Sequence, residues 1–382
     1  MMIQQPILWA TLCFIGGILL GHYVPSWIYL FFSTATLLLL TILRHRKHTF
    51  MLLAMAFWFA LGGARTNLPL SHTSMQTIKE RTGPVREKII ARLTESGIND
   101  ESISLSSALL TGDKDLLGKD MRKAYSRAGA SHLLALSGMH LGIIYGLIYM
   151  LLLRWMRFSR WKWHMLPIVL LCLWGYALVA GLPFSLLRAT IMLSVFTIGT
   201  LAQYRQPSLH TLSLSALCIL LISPMALFDI GFQLSFTAVF FIIVLYPTLN
   251  VFFKGKRLQW IWEMLGVSFA AQLGTAPLCM YYFHILPYTG FILSLFVVPI
   301  TMVIIYMGMI TLICPWQGFG FILEYCIKAQ VWCVNIWGNI PYTVVENLHP
   351  KWWQVCILYV LFLVFSLRIK AKTRQLFLLK HQ

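Results

Sequence analysis

Runs of about 20 residues that lipid would accept recur from one end of this chain to the other, and no other feature narrows the fold as far. A helix rises 1.5 Å per residue, so about 20 apolar residues cross the roughly 30 Å of a bilayer core. Such runs are read at 6–24, 26–43, 49–64, 131–153, 165–182, 185–203, 208–223, 228–247, 261–281, 289–314, 319–341 and 351–368. A transmembrane β-barrel would show short alternating segments instead. With 59% hydrophobic and 11% charged residues, the 382-residue chain lies outside the soluble range. The expected fold is therefore all-α: a polytopic membrane helix bundle of about 12 transmembrane helices with one extracytoplasmic helical segment.

No Lys or Arg precedes Pro6, and Gly17 and Gly21 form a GxxxG step, so the first run is expected to stay as an anchored span rather than act as a cleaved leader. Placing the first loop outside puts Arg44, Arg46 and Lys47, then Arg154, Arg157, Arg160 and Lys162, then Arg205, then Lys254, Lys256 and Arg257, then the tail from Arg368, all on the inner side. The opposite short loops carry no Lys or Arg, as the positive-inside rule requires. Both termini are thus expected in the cytoplasm of a cell with the protein in its inner membrane. The same bias explains much of the net charge of +18, so charge alone is no sign of nucleic-acid binding. Eight cysteines stand singly, without a CxxC pair, and leave the redox compartment open.

Four regions follow: N-terminal transmembrane helices at 1–64, an extracytoplasmic amphipathic segment at 65–130, a transmembrane channel region at 131–368 and a basic cytoplasmic tail at 369–382. Within the second, "PVREKIIARLTESG" spaces Val85, Ile89 and Leu93 at i, i+4 and i+8, with Pro84 placed to start a helix and Gly97 to end it. Room exists there for two or three short helices. "GDKDLLGKD" lacks a phosphate-loop's spacing, because five residues separate Gly112 from Gly118 and Asp120 stands where Ser or Thr would bind magnesium.

Polar side chains inside apolar runs carry the functional signal, since lipid penalises them. "HLLALSGMHLGIIYGL" contains His132, Ser137 and His140, with the histidines roughly 80° apart on a straight helix, and local unwinding at Ser-Gly is one way to accommodate them. Gly138, Gly142 and Gly146 share a face and are expected to pack closely on a neighbour, as are Gly266 and Gly274 in a later span. "GLPFSLLRATIM" places Arg188 just inside a span, where a charge at the membrane centre costs about 2.5–3.5 kcal/mol. "DIGFQLSFTAV" adds Asp229, Gln233 and Ser235; "AAQLGTAPLCMYYFH" adds Gln272, Thr275 and His284, with a kink expected at Pro277. Taken singly, each has an ordinary account as a snorkelling, interfacial or helix-bonding group. Together they suggest a hydrated path. No HxxxH or HExxH spacing supports a metal site, and no cofactor is expected. A Ser137 nucleophile with His132 or His140 as base has no second signature behind it.

The motifs "RAGASHLLALSGMHLGI" (127–143), "GLPFSLLRATIM" (181–192), "DIGFQLSFTAV" (229–239) and "AQLGTAPLCMYYFHILP" (271–287), in this order, resemble the ComEC-type competence family of DNA-uptake channels. That resemblance implies an inner-membrane conduit, not an enzyme, passing single-stranded transforming DNA. It assigns shared polar positions to His132, Ser137, His140, Arg188, Gln233 and Gln272. A strand offers one phosphate charge per nucleotide and stackable bases, so Arg188 and the aromatics Phe184, Phe232, Phe236 and Tyr282 suit the lining. Partners implied by the family are a cytosolic helicase or translocase and single-strand-binding proteins, beside the lipid bilayer. The OB-like and metallo-β-lactamase-like domains of full-length members are not seen here, which leads to the expectation of a short form with a separate nuclease and OB-like partner, or a homo-oligomer. A transporter of a smaller anionic solute and a membrane-embedded serine/histidine hydrolase are the alternatives.

Overall fold

Apolar runs with no alternation fold as helices because only a helix satisfies its own backbone where water is absent. The structure, a computed structural model, describes residues 6–21, 26–42, 47–66, 73–113, 116–130, 133–134, 137–153, 162–201, 208–253, 259–340 and 343–379. Its helices are α1 (Pro6–Leu20), α2 (Ser26–Ile42), α3 (Lys47–Thr66), α4 (Thr73–Glu95), α5 (Asp100–Thr111), α6 (Lys119–Arg127), α7 (Gly138–Ile148), α8 (Lys162–Val179), α9 (Phe184–Leu201), α10 (Ser208–Ile222), α11 (Ile230–Phe253), α12 (Gln259–Phe283), α13 (Gly290–Ile313), α14 (Gln317–Asn339) and α15 (Trp352–Leu379). Among the described residues the sole β feature is an isolated bridge between Leu286 and Val345.

By length and composition, Ile230–Asn250 and Gly290–Ile313 are able to cross a membrane, and eight further apolar helical stretches run 10–17 residues. Large apolar side chains also stand on the surface: Ile313 is 84% exposed, Phe321 74% and Leu171 73%. Water would not tolerate such a surface at this density, and lipid would cover it.

The chain forms two compact units, one of residues 1–76 and 191–236, the other of 77–190 and 237–382. In the first, α1 and α3 meet through glycine. A Cβ at Gly17 would collide with the Phe59 carbonyl oxygen, and one at Gly62 with that of Phe14. Thr11 Oγ1 of α1 donates to the Ser213 carbonyl of α10 at 3.0 Å. Arg65 closes the other end, its Nε and Nη2 donating to the Leu221 and Ile222 carbonyls at 2.9 Å each, where the C-terminus of α10 presents partial negative charge.

In the second unit, Leu93, Leu105, Leu109, Tyr125, Leu133, Ile304 and Leu323 form a continuous core. Helix α5 is buried along most of its length, capped by Asn99, whose side chain accepts from Ser102 N at 2.9 Å, and ended by Gly112 at φ 75°. Its neighbour α13 approaches at Gly308, where a Cβ would stand 2.8 Å from Leu110 Cδ1. Tyr176 of α8 donates to the Leu110 carbonyl at 2.9 Å.

Three boundaries differ from expectation. Pro84 lies inside α4 rather than at its start. The stripe of Val85, Ile89 and Leu93 thus lies in the C-terminal half of a longer helix. In the run at 131–153, Leu133, Leu134 and Ser137 are not helical; α7 begins at Gly138 and is followed by a π-helical turn, Tyr149–Leu153, while His132 lies outside the described residues. Thirdly, α15 continues to Leu379, past the expected tail boundary at 368.

Candidate functional site

The unwound Ser-Gly step is a helix start. Ser137 occupies the N-cap of α7 in extended backbone, with its Oγ 3.2 Å from Nδ1 of the buried His140 and its N–H 3.4 Å from the same nitrogen. This reciprocal cap serves donors that the first turn of a helix leaves without partners. Gly138 brings that end of α7 against α9, its Cβ position lying 3.4 Å from Ala189 Cβ. Beside Ala189 stands Arg188, 4% exposed within the apolar α9.

A second buried cation lies at the preceding corner. Arg86 of α4 is 9% exposed and donates from Nη2 to the Ala180 carbonyl at 2.9 Å, just beyond the end of α8. The corner is tight: Gly181 has φ 80° and Leu182 φ 50°. Sequence reasoning placed Arg86 on an amphipathic surface helix and gave it no role. Only its i+1 position after Val85, off the apolar stripe, was visible, and that spacing is ordinary for a solvated arginine.

Gln272 has both ends of its amide engaged. Its Nε2 donates to the Pro287 carbonyl, and its Oε1 accepts from Phe291 N at 2.9 Å, at the first turn of α13. Gly129, at φ 71°, packs on the same corner, where a Cβ would stand 2.6 Å from Pro287 Cβ. Thr275 Oγ1 bonds back to the Ala271 carbonyl at 3.1 Å. His284, exposed at φ 59°, holds its Nδ1 3.0 Å from both the Leu348 carbonyl and Nδ1 of His349. His349 was not foreseen, because 65 residues separate the two and neither has a motif.

Asp229, Gln233 and Ser235 fall in the other unit. Asp229 Oδ1 caps α11 by accepting from Phe232 N at 2.8 Å, and Gln233 Nε2 donates to the Leu227 carbonyl at 3.1 Å. Phe232 and Phe236 stack there with centroids 4.3 Å apart. Ser235 is half-buried. His132 and the Phe184 side chain lie outside the described residues, as do Arg44, Arg46, Arg154, Arg157, Arg160, Arg205, Lys254, Lys256 and Arg257.

The glycine faces divide. Gly274 is a close approach, since its Cβ would lie 2.8 Å from the Thr237 carbonyl oxygen and 2.9 Å from Phe241 Cβ; Gly266 is buried on the same helix. Along the face of Gly138, Gly142 and Gly146, Gly138 meets Ala189 of α9, whereas among the described residues nothing lies within 4 Å of a Cβ at Gly142 and Tyr306 Oη stands 3.8 Å from one at Gly146. Tyr306 of α13 reaches that helix by donating to the Ile143 carbonyl at 3.1 Å.

No group of three or more His, Cys, Asp or Glu able to hold a metal occurs among the described residues. The arrangement thus defines a class: a helical protein with membrane-capable helices, in which Arg86 and Arg188 are buried and most of the other polar groups named above bond nearby backbone. The sequence profile of the competence proteins matches residues 109–372, more than half of the chain, and the chain belongs to that family. ComE operon protein 3 of Bacillus subtilis (strain 168) is 32% identical over 209 residues, covering 55% of this chain and 26% of that protein. Recombination protein 2 of Haemophilus influenzae (strain ATCC 51907 / DSM 11121 / KW20 / Rd) is 26% identical over 215 residues, covering 52% and 27% respectively. This chain therefore spans about a quarter of the length of either relative. No solved structure matches.

Proposed function

We propose that this chain acts in competence as an inner-membrane conduit for single-stranded transforming DNA. Membership of the competence family supports the biological role, and the names of its relatives point to DNA uptake and recombination. Arg188 carries the mechanistic part of the reading. A buried cation in an apolar helix is costly, and a passing phosphate is the kind of partner that offsets such a cost in transport. Arg86 fixes the corner from which α9 departs. Arg188→Glu is expected to reduce uptake of added DNA to the level of a deletion strain while leaving the amount of membrane-inserted protein unchanged. Uptake equal to the unaltered chain would remove Arg188 from the path.

A second reading rests on the 3.2 Å contact between Ser137 Oγ and His140 Nδ1, which a serine hydrolase would also display. A helix cap accounts for the same atoms. Ser137→Ala separates the two: a nucleophile's loss ends uptake-linked turnover entirely, whereas a lost cap costs about 0.5–2 kcal/mol of stability and leaves activity in the folded fraction.

A further inference from the structure

A cleft of about 220 Å³ opens between α6 and α14, and of the motifs above only Arg127, the first residue of the 127–143 stretch, and Asp120 reach it. Asp120, Lys123 and Arg127 line it from one helix at i, i+3 and i+7, steps of three and four that stack side chains on one face. Asn335, Gly338 and Asn339 line it from the other at i, i+3 and i+4. Gly338 lets the helices close, its Cβ position lying 3.5 Å from the Ala124 carbonyl oxygen and 3.6 Å from Arg127 Cβ. The polar heads of Lys123, Arg127, Asn335 and Asn339 make no hydrogen bond or ion pair among the described residues. All four residues are exposed, so their heads are open to a ligand arriving from solvent.

We propose that this cleft is a binding site for a phosphodiester group of the DNA backbone, a reading that rests on the DNA-handling role above and names where the strand is held. Two cations and one carboxylate leave a net charge of +1, which matches the single charge of a phosphodiester better than the double charge of a phosphate monoester. Ammonium, guanidinium and two carboxamides supply convergent N–H donors, the combination that recognises phosphate oxygens. Its volume of about 220 Å³ leaves room for a phosphate group. No aromatic ring lines it, so bases are not stacked and sequence is not read.

The test uses the full chain in detergent with a fluorescein-labelled oligothymidylate, and a transformation assay in parallel. Lys123→Gln with Arg127→Gln is expected to weaken binding about tenfold and to flatten the dependence of log affinity on log salt by about 0.7, the share of one phosphate contact on a single strand. Gly338→Leu, which fills the cleft without removing charge, is expected to weaken binding by a similar factor. Lys88→Gln with Arg92→Gln, on exposed positions of α4, controls for charge alone and is expected to leave affinity unchanged. Equal losses in the control pair, normal binding by Gly338→Leu, or no binding of the oligonucleotide by the unaltered chain overturns the site. If transformation requires the chain but ignores the cleft variants, the site fails and the uptake role stands. If the variants lose binding while a deletion strain transforms normally, the site stands and the uptake role fails.

Discussion

Tyr125 shows how one atom sets a local cost. The side chain is fully buried in the core of the second unit, and its hydroxyl has no partner among the described residues. An unsatisfied buried hydroxyl costs about 1–3 kcal/mol, so Tyr125→Phe is expected to raise stability by about 1 kcal/mol near neutral pH, read as a higher unfolding midpoint in detergent. Burial also pushes the phenol's pKa up. A free phenol ionises near pH 10, so above that pH the unfolded chain sheds a proton that the folded chain keeps, and stability falls as pH rises. Tyr125→Phe removes that share of the alkaline loss, so the gap between variant and unaltered chain widens above about pH 10. Arg86 has the opposite sign. Its 2.9 Å bond to the Ala180 carbonyl is charge-assisted, and Arg86→Met is expected to cost about 1.5–3 kcal/mol in the same measurement.

Between helices, a glycine's worth is set by what faces it. At Gly274 the Thr237 carbonyl oxygen and Phe241 Cβ leave no room for a methyl group, and Tyr359 Oη of α15 donates to the Gly274 carbonyl at 2.9 Å, so three helices meet at one residue. Gly274→Ala is expected to destabilise by about 1–3 kcal/mol through forced separation of α11 and α12. Gly142→Ala meets open space inside α7 and is expected to be neutral or to stabilise by up to about 1 kcal/mol, since alanine is the better helix former. Comparing their unfolding midpoints in detergent tests the contrast; equal effects would overturn it. Both sites carry a small residue at every fourth position, Gly266, Ala270 and Gly274 in one and Gly138, Gly142 and Gly146 in the other, so the spacing was legible and its meaning was not. A small residue permits a close approach, but the neighbour decides whether one occurs.

Across the whole molecule, the proposed topology places 65–130 and the loop 154–162 on opposite sides, with the residues of α7 between them. In a cysteine-free background, Gly83→Cys, at a position with open space around it, is expected to react with a membrane-impermeant maleimide applied to intact cells. Ser159→Cys is expected to react only after permeabilisation. Labelling of both from outside would rule out a single crossing between them, and the reverse pattern would invert the orientation. The eight native cysteines carry no disulfide among those described, so their replacement removes no cross-link.

Helical class, the apolar runs and the family were all readable along the chain, because hydrophobicity accumulates locally and the competence motifs are contiguous. Arg188 stood out for the same reason: a charge in an apolar run is conspicuous without coordinates. Which polar group meets which could not be read that way. Gln272 grips the turn before α13, His284 pairs with His349, Arg86 holds the end of α8, and α6 lies across α14 from a distance of roughly 200 residues in sequence. A hydrogen-bonding side chain accepts any carbonyl or amide that geometry brings within about 3 Å, and that choice is made only when distant helices pack.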